Sequence, residues 1–229
     1  MVEFNPQWYG KFISSTNEKD LLVSKIAEVL KGKPHGSCLE IGLGLSPYFA
    51  QHLAPTFNKY VIIEKRIVNE KLPKGVELIN KDWEKIDLKE KSDVIIASHV
   101  FYYFKNKKAA IEKMFNLLNN EGRVIFVVNG KSADYGPLKL AFAESLGIKY
   151  VFTYDELLGL LKGRKFREYT FPSKVKFSSF EDLFETLRLS FDALPKEYQK
   201  IRDKIIEYLK NNIKGDSFVI DQKIIEVEK

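Results

Sequence analysis

The stretch Cys38-Leu39-Glu40-Ile41-Gly42-Leu43-Gly44-Leu45-Ser46-Pro47 decides how this chain is read. Residues 38–41 are apolar enough for a short buried strand. Two glycines follow with one residue between them. Ser46-Pro47 then offers an N-cap and a first-turn proline for a helix that should stop before Pro55. Strand, glycine turn and helix in that order present free backbone N–H groups to a ligand, because glycine has no side chain to hold it away. Gly-x-Gly alone would serve many nucleotide ligands, so the neighbouring residues must discriminate. The third glycine of the dinucleotide fingerprint falls at Pro47, which fails that pattern. Glu40 stands just before the glycines, where a pyrophosphate would meet a like charge and a cationic amino-acid group would not. Glu64 stands about 20 residues further on, where an acid takes up the two hydroxyls of a ribose.

Working outward, apolar runs and helical periods alternate. A helix is expected from about Asn17 to Gly32, with Leu22, Ile26, Val29 and Leu30 on one face. Strands are expected at 60–63, 76–79, 94–97 and 124–128, the later ones apolar throughout, as strands covered on both faces are. Asn106 should cap a helix carrying Ile111, Met114, Phe115 and Leu118, and Asn120-Glu121-Gly122 should turn the chain after it. Helices near 137–146 and 156–161 follow, the second opened by a Thr153-x-x-Glu156 capping box. Strands at 166–171 and 217–228 enclose helices near 180–190 and 197–212. The pattern predicts an α/β, Rossmann-like, doubly wound and mostly parallel seven-stranded sheet, with the last two strands at one edge and helices covering the site. A single domain over 1–229 is expected: cover at 1–32, ligand-binding core at 33–165, and C-terminal strands with inserted helices at 166–229.

The totals fit that picture. The 229 residues, 45% hydrophobic and 30% charged, are enough for a full core. No run reaches the roughly 18 apolar residues of a membrane span, and residues 1–17 lack a signal-peptide core, so a cytoplasmic protein is expected. The net charge of +6 comes mostly from lysines spread along the chain. Nucleic-acid binders gather their basic residues on one face, so a small-molecule partner is favoured. Three histidines and one cysteine, without ligand spacing, argue against a metal site; His35 and His52 have no partner set, and Cys38 reads as core.

The segment 38–128 resembles the class I S-adenosylmethionine (SAM)-dependent methyltransferases, whose first motif runs acid-x-Gly-x-Gly-x-Gly. Glu40, Gly42 and Gly44 match, and Ser46 replaces the third glycine. The resemblance implies SAM as cofactor, bound by Gly42, Gly44, Ser46 and Lys65 together with Glu40 near its amino-acid part, Glu64 at the ribose, Asp82 and Trp83 flanking the adenine, and Ser98 and His99 beside the methionine part.

A narrower resemblance is to the histamine N-methyltransferase-like branch. It rests on Ala97-Ser98-His99-Val100-Phe101-Tyr102-Tyr103-Phe104, on 124–130, and on the opening from Tyr9-Gly10-Lys11-Phe12 to Ser15-Thr16-Asn17-Glu18. It implies that Glu18 binds a substrate amine, that His99 is a polar substrate contact, and that Tyr102 and Tyr103 wall the pocket. The branch has glutamine in place of His99, and Asn17 interrupts its Ser-Thr-Glu segment. Each residue also has a plainer reading: Glu18 as the end of a Ser15-x-x-Glu18 capping box, the tyrosine pair as packing, His99 as a satisfied structural histidine. Transfer to an amine needs a neutral nitrogen: His99 is the candidate base, and selection of the free base by desolvation is the alternative. RNA or protein acceptors, and a non-catalytic binding module, are the rival readings; the Asn/Asp-Pro-Pro-Tyr/Phe signature of nucleobase methylation is replaced by Ser98-His99-Val100-Phe101.

Overall fold

The computed structural model describes residues 5–33, 36–191 and 195–229; His35 lies outside them, as do the side chains of 195–199. In chain order the helices are α1 (Pro6–Ser15), α2 (Glu18–Leu30), α3 (Tyr48–Leu53), α4 (Lys107–Asn116), α5 (Tyr135–Ser145), α6 (Thr153–Leu160), α7 (Phe180–Thr186) and α8 (Pro195–Asn212). The strands are β1 (Ser37–Ile41), β2 (Lys59–Ile63), β3 (Val76–Ile79), β4 (Ser92–Ser98), β5 (Leu118–Ala133), β6 (Phe166–Lys176) and β7 (Ser217–Glu228).

All seven strands join one sheet in the order β3-β2-β1-β4-β5-β7-β6. The first five are parallel, and β7 runs antiparallel between β5 and β6. The mostly parallel seven-stranded sheet expected from the sequence is therefore present. Alternate strand residues feed opposite layers, as the period of two requires. Leu39, Ile41, Val61, Ile63, Ile95 and Phe126 meet α4 and α6 on one face. Cys38, Tyr60, Ile62, Val94, Ile96 and Val127 meet α2 and α3 on the other. Full burial of each aliphatic side chain contributes about 1.5–3 kcal/mol. A third cluster, with Phe12, Leu138, Phe142, Val175, Phe184 and Leu209, joins α1, α5, α7 and α8 above the β5-β7-β6 side.

Several local expectations are corrected. The helix after the glycine turn begins at Tyr48 with Pro47 in the cap position and no side-chain cap, and Ser46 Oγ instead accepts from Lys19 Nζ at 3.2 Å. Neither capping box forms. Ser15 ends α1 and donates to Lys11 O, while Thr153 is itself the first residue of α6 and Glu156 pairs with Lys107. The helix expected across 180–190 gives way at Leu187 to a 3₁₀ turn, Leu187–Ser190. The turn at Asn120-Glu121-Gly122 survives as a bulge inside β5: pairing with β4 jumps from Ser92↔Leu118 to Val94↔Arg123, and Glu121 takes φ 63°.

Helix α1 is an addition to the sequence reading. Asn5 Oδ1 accepts from Trp8 N at 3.1 Å and Pro6 occupies the first turn, a pairing suited to a helix start. After it, Thr16 bridges Val175, and Asn17 grips Lys174 on β6 through both its amide N–H and its side-chain oxygen. The extra residue that interrupts the Ser-Thr-Glu segment thus pins the start of α2, and Glu18 with it, to the sheet edge.

Candidate active site

The carboxyl ends of β1 to β5 open into a cavity of about 400 Å³, and α1, the start of α2, the 150–156 segment and the 3₁₀ turn form the rest of its wall. Gly42, Gly44, Glu64, Lys65, Asp82, Trp83, Ser98, His99, Tyr102, Tyr103 and Glu18 all line it. Open parallel sheets place ligands at this edge. Of the sequence candidates, Glu40 and Ser46 do not line it.

The glycine turn depends on its glycines. Gly42 has φ 84°, and a Cβ there would fall 2.4 Å from Val100 Cγ1. Gly44 has φ 67°, and a Cβ there would fall 3.0 Å from the Tyr9 hydroxyl. Glu64 ties the turn to β2: one carboxylate oxygen accepts from Leu43 N at 2.9 Å, the other from Arg66 N at 2.8 Å. The Arg66 guanidinium lies 3.5 Å from Glu64 and donates to Gly44 O, which closes a ring around the turn.

Glu40 is buried behind the turn and accepts from the Tyr60 hydroxyl at 2.8 Å. Burial lifts its carboxyl to about 7, against the opposing pull of that hydrogen bond and of Lys19. Lys19 is the reciprocal case. Burial lowers its ammonium, while Glu40 and Glu18 act to raise it. Neither Lys19 nor Arg66 stood out in the sequence, because a lone lysine at the start of a helix has no pattern to mark it.

Asp82 accepts from Glu84 N at 2.9 Å and so shapes the turn after β3. Trp83 is 4% exposed, its ring lies under Lys113 Nζ at 4.5 Å, and its indole Nε1 is buried without a partner.

On the other side of the glycine turn, one hydrogen-bond network crosses four elements. His99, held at φ 50°, meets the Tyr102 hydroxyl through Nδ1 at 2.8 Å and Gln222 Oε1 through Nε2 at 3.1 Å. Gln222 Nε2 donates to Glu18 Oε2 at 2.8 Å and to Ser173 Oγ at 3.0 Å. Because the Gln222 amide nitrogen is committed to these acceptors, its oxygen must accept, so His99 Nε2 carries the proton and Nδ1 accepts from Tyr102. Glu18 Oε1 lies 3.5 Å from the same Nε2. The plain capping role for Glu18 is overturned: its carboxylate is turned inward, and Thr16 Oγ1 receives its backbone N–H instead. Gln222 was missed in sequence. Its signal was a buried amide amid alternating polar residues on a closing strand, and its partner lies 204 positions away. Among the described residues no group of three or more His, Cys, Asp or Glu side chains is placed to hold a metal ion.

With this geometry in view, the sequence profile of a family described as Methyltransferase domain matches residues 15–186. The chain belongs to this methyltransferase family. An uncharacterized methyltransferase of Bacillus cytotoxicus is 31% identical over 141 residues; that match covers 55% of this chain and 66% of the relative, slightly under two thirds of its length. In fold, this methyltransferase is similar to the YcgJ protein of Bacillus subtilis (TM-score 0.63, 12% identity, 92% of this chain and 98% of the other). It is also similar to the N-methyltransferase NodS of Bradyrhizobium japonicum in complex with S-adenosylhomocysteine (SAH; TM-score 0.52, 14% identity, 93% and 87%). At these identities the likeness concerns the methyltransferase fold alone.

Proposed function

We propose that the chain is a SAM-dependent methyltransferase acting on a small-molecule acceptor, with an amine nitrogen as the methylated atom. The observation that carries this reading is the single cavity that joins the glycine turn and Glu64 to the Glu18–Gln222–His99–Tyr102 network. One side is suited to a nucleoside with a cationic amino-acid tail, and the other to a small polar acceptor.

The residues present fit the cofactor. Glu64 and Asp82 stand at adjacent strand ends where hydroxyl and amine donors need acceptors, and Trp83 lines the same region. Glu40 places a buried carboxyl behind Gly42, and Lys19 beside Ser46 supplies a cation for a carboxylate. Lys65 lies at the exposed rim, and Ser98 ends β4 on the acceptor side. When bound, SAM supplies a methyl group on a sulfonium, which is a good leaving group. The chain then has to align the nucleophile and exclude water. Glu18 holds an incoming amine, Tyr102 and Tyr103 wall it in, and His99 takes its proton at Nδ1 once the bond from Tyr102 opens. The acceptor-side resemblance to the histamine N-methyltransferase-like branch supports an amine, and the NodS likeness points the same way. The whole of 1–229 acts as one unit in this reading.

The test is calorimetric titration of SAH into wild-type protein and Glu64→Ala, followed by radiolabelled SAM with a panel of amines and imidazoles and, separately, with RNA. Binding to wild type and none to Glu64→Ala is expected; equal affinity would sink the cofactor assignment. Label appearing only in RNA, with steep salt dependence, would replace the small-molecule acceptor.

A further inference from the structure

Lys139 lies on α5 and is only 1% exposed, yet it lines the cavity. Its ammonium sits among four aromatic rings: Tyr150 at 4.7 Å from the centroid, Phe142 at 5.6 Å, and Tyr135 and Phe191 at 5.9 Å. Its hydrogen-bond partner is Ser190 O, at the end of the 3₁₀ turn. Among the described residues no carboxylate lies within 4.0 Å of it. An ammonium has three donors, and a buried charge is costly unless an opposite charge meets it. Ring faces offset part of that cost but accept no proton. The cavity therefore ends in a cation with unused donors, walled by aromatic side chains.

Its place in the fold separates it from the cofactor side. The strand ends run Asp82 after β3, Glu64 after β2, Gly42 and Gly44 after β1, then His99 after β4 and α5 after β5. Lys139 thus stands beyond the His99 network, at the end of the cavity opposite Glu64 and Asp82.

We propose that Lys139 anchors an anionic group, a carboxylate or its equivalent, on the methyl acceptor, whose aromatic or apolar body packs against Tyr135 and Tyr150. This rests on the methyltransferase reading and narrows its acceptor to molecules that carry an anion as well as the methylated atom. Lys139 also fastens the 3₁₀ turn through Ser190 O, and a purely structural lysine would do only that.

The two roles separate by charge discrimination. Phenylacetate and 4-aminobenzoate would be titrated against phenylacetamide and 4-aminobenzamide, with and without bound SAH. Wild type should bind each acid at least about tenfold more tightly than its amide, the scale of a charge-assisted hydrogen bond. Lys139→Met should abolish the preference, Lys139→Arg should keep it, and SAH affinity should be the same in all three. Equal binding of acid and amide, no binding of either acid, or a preference that survives in Lys139→Met would overturn the proposal. If SAH fails to bind wild type, the cofactor reading fails instead, and the acid–amide comparison on the unloaded protein still judges Lys139.

Discussion

Gln222 Nε2 lies 2.8 Å from Glu18 Oε2, and this one contact joins the middle of β7 to the first residue of α2. Both side chains are buried, Gln222 fully and Glu18 to 5% exposure. The same amide serves His99 and Ser173, so three polar groups are satisfied by one side chain's placement.

Replacing Gln222 by leucine keeps its bulk and removes every one of those bonds. The Glu18 carboxylate is then left buried without its donor, at a cost of about 3 kcal/mol. Urea unfolding should show that loss while SAH affinity stays unchanged. An unaltered midpoint would mean that the network contributes nothing to the fold.

Gly42 and Gly32 both have left-handed backbones, φ 84° and 72°, but only Gly42 has a side chain pressed against it. Alanine at Gly32 meets open space and should cost roughly 1 kcal/mol of backbone strain. Alanine at Gly42 must also displace Val100 or shift the turn, so the loss should exceed 2 kcal/mol, the reach of overpacking. Cofactor affinity should fall with it. Equal penalties at the two sites would refute the close approach of Val100.

Glu40 gives the stability a pH signature. Its carboxyl is raised from 4.5 to about 7, so the folded state binds a proton that the unfolded chain releases. That contribution is complete below the unfolded value and is lost as pH rises through the folded one. The stability of wild type relative to Glu40→Gln should therefore fall by a few kcal/mol between pH 4.5 and about 7. A difference that is flat over this window would show that the carboxyl is not desolvated.

His99 has both ring nitrogens engaged, so a base role requires one bond to open during turnover. With an amine acceptor, His99→Gln should lower kcat/KM while SAH affinity stays unchanged. Full turnover by His99→Gln at every pH would leave it as a positioning residue.

The parts legible in sequence were those set by local chemistry. Continuous apolar runs marked the buried parallel strands, glycines marked the turn that only they can adopt, and Asn106 marked the start of α4, where its side chain accepts from Ala109 N at 3.0 Å. Local patterns misled where two partners competed. Ser15 and Thr153 have the spacing of helix caps, but the chain needed their acidic partners elsewhere, Glu18 at Gln222 and Glu156 at Lys107. Lys139 and Gln222 were missed for a different reason. Lys139 is an ordinary polar residue until the fold surrounds it, and Gln222 is marked only by its inward place in the alternation of β7, which does not name its partners.

The β7 ladder has a consequence for how this protein is proofread. Gln222 faces inward because β7 pairs with β5 and β6 in one register, with Gln222 opposite Asn129 on one side and Phe171 on the other. A slip of a single residue would turn the amide to the opposite face of the sheet. Such a molecule could keep a full set of backbone hydrogen bonds and most of its helices, yet it would be mute toward an acceptor. In the reading proposed above, turnover then depends on the alignment of the sheet edge, and chains that closed out of register lower a preparation's specific activity.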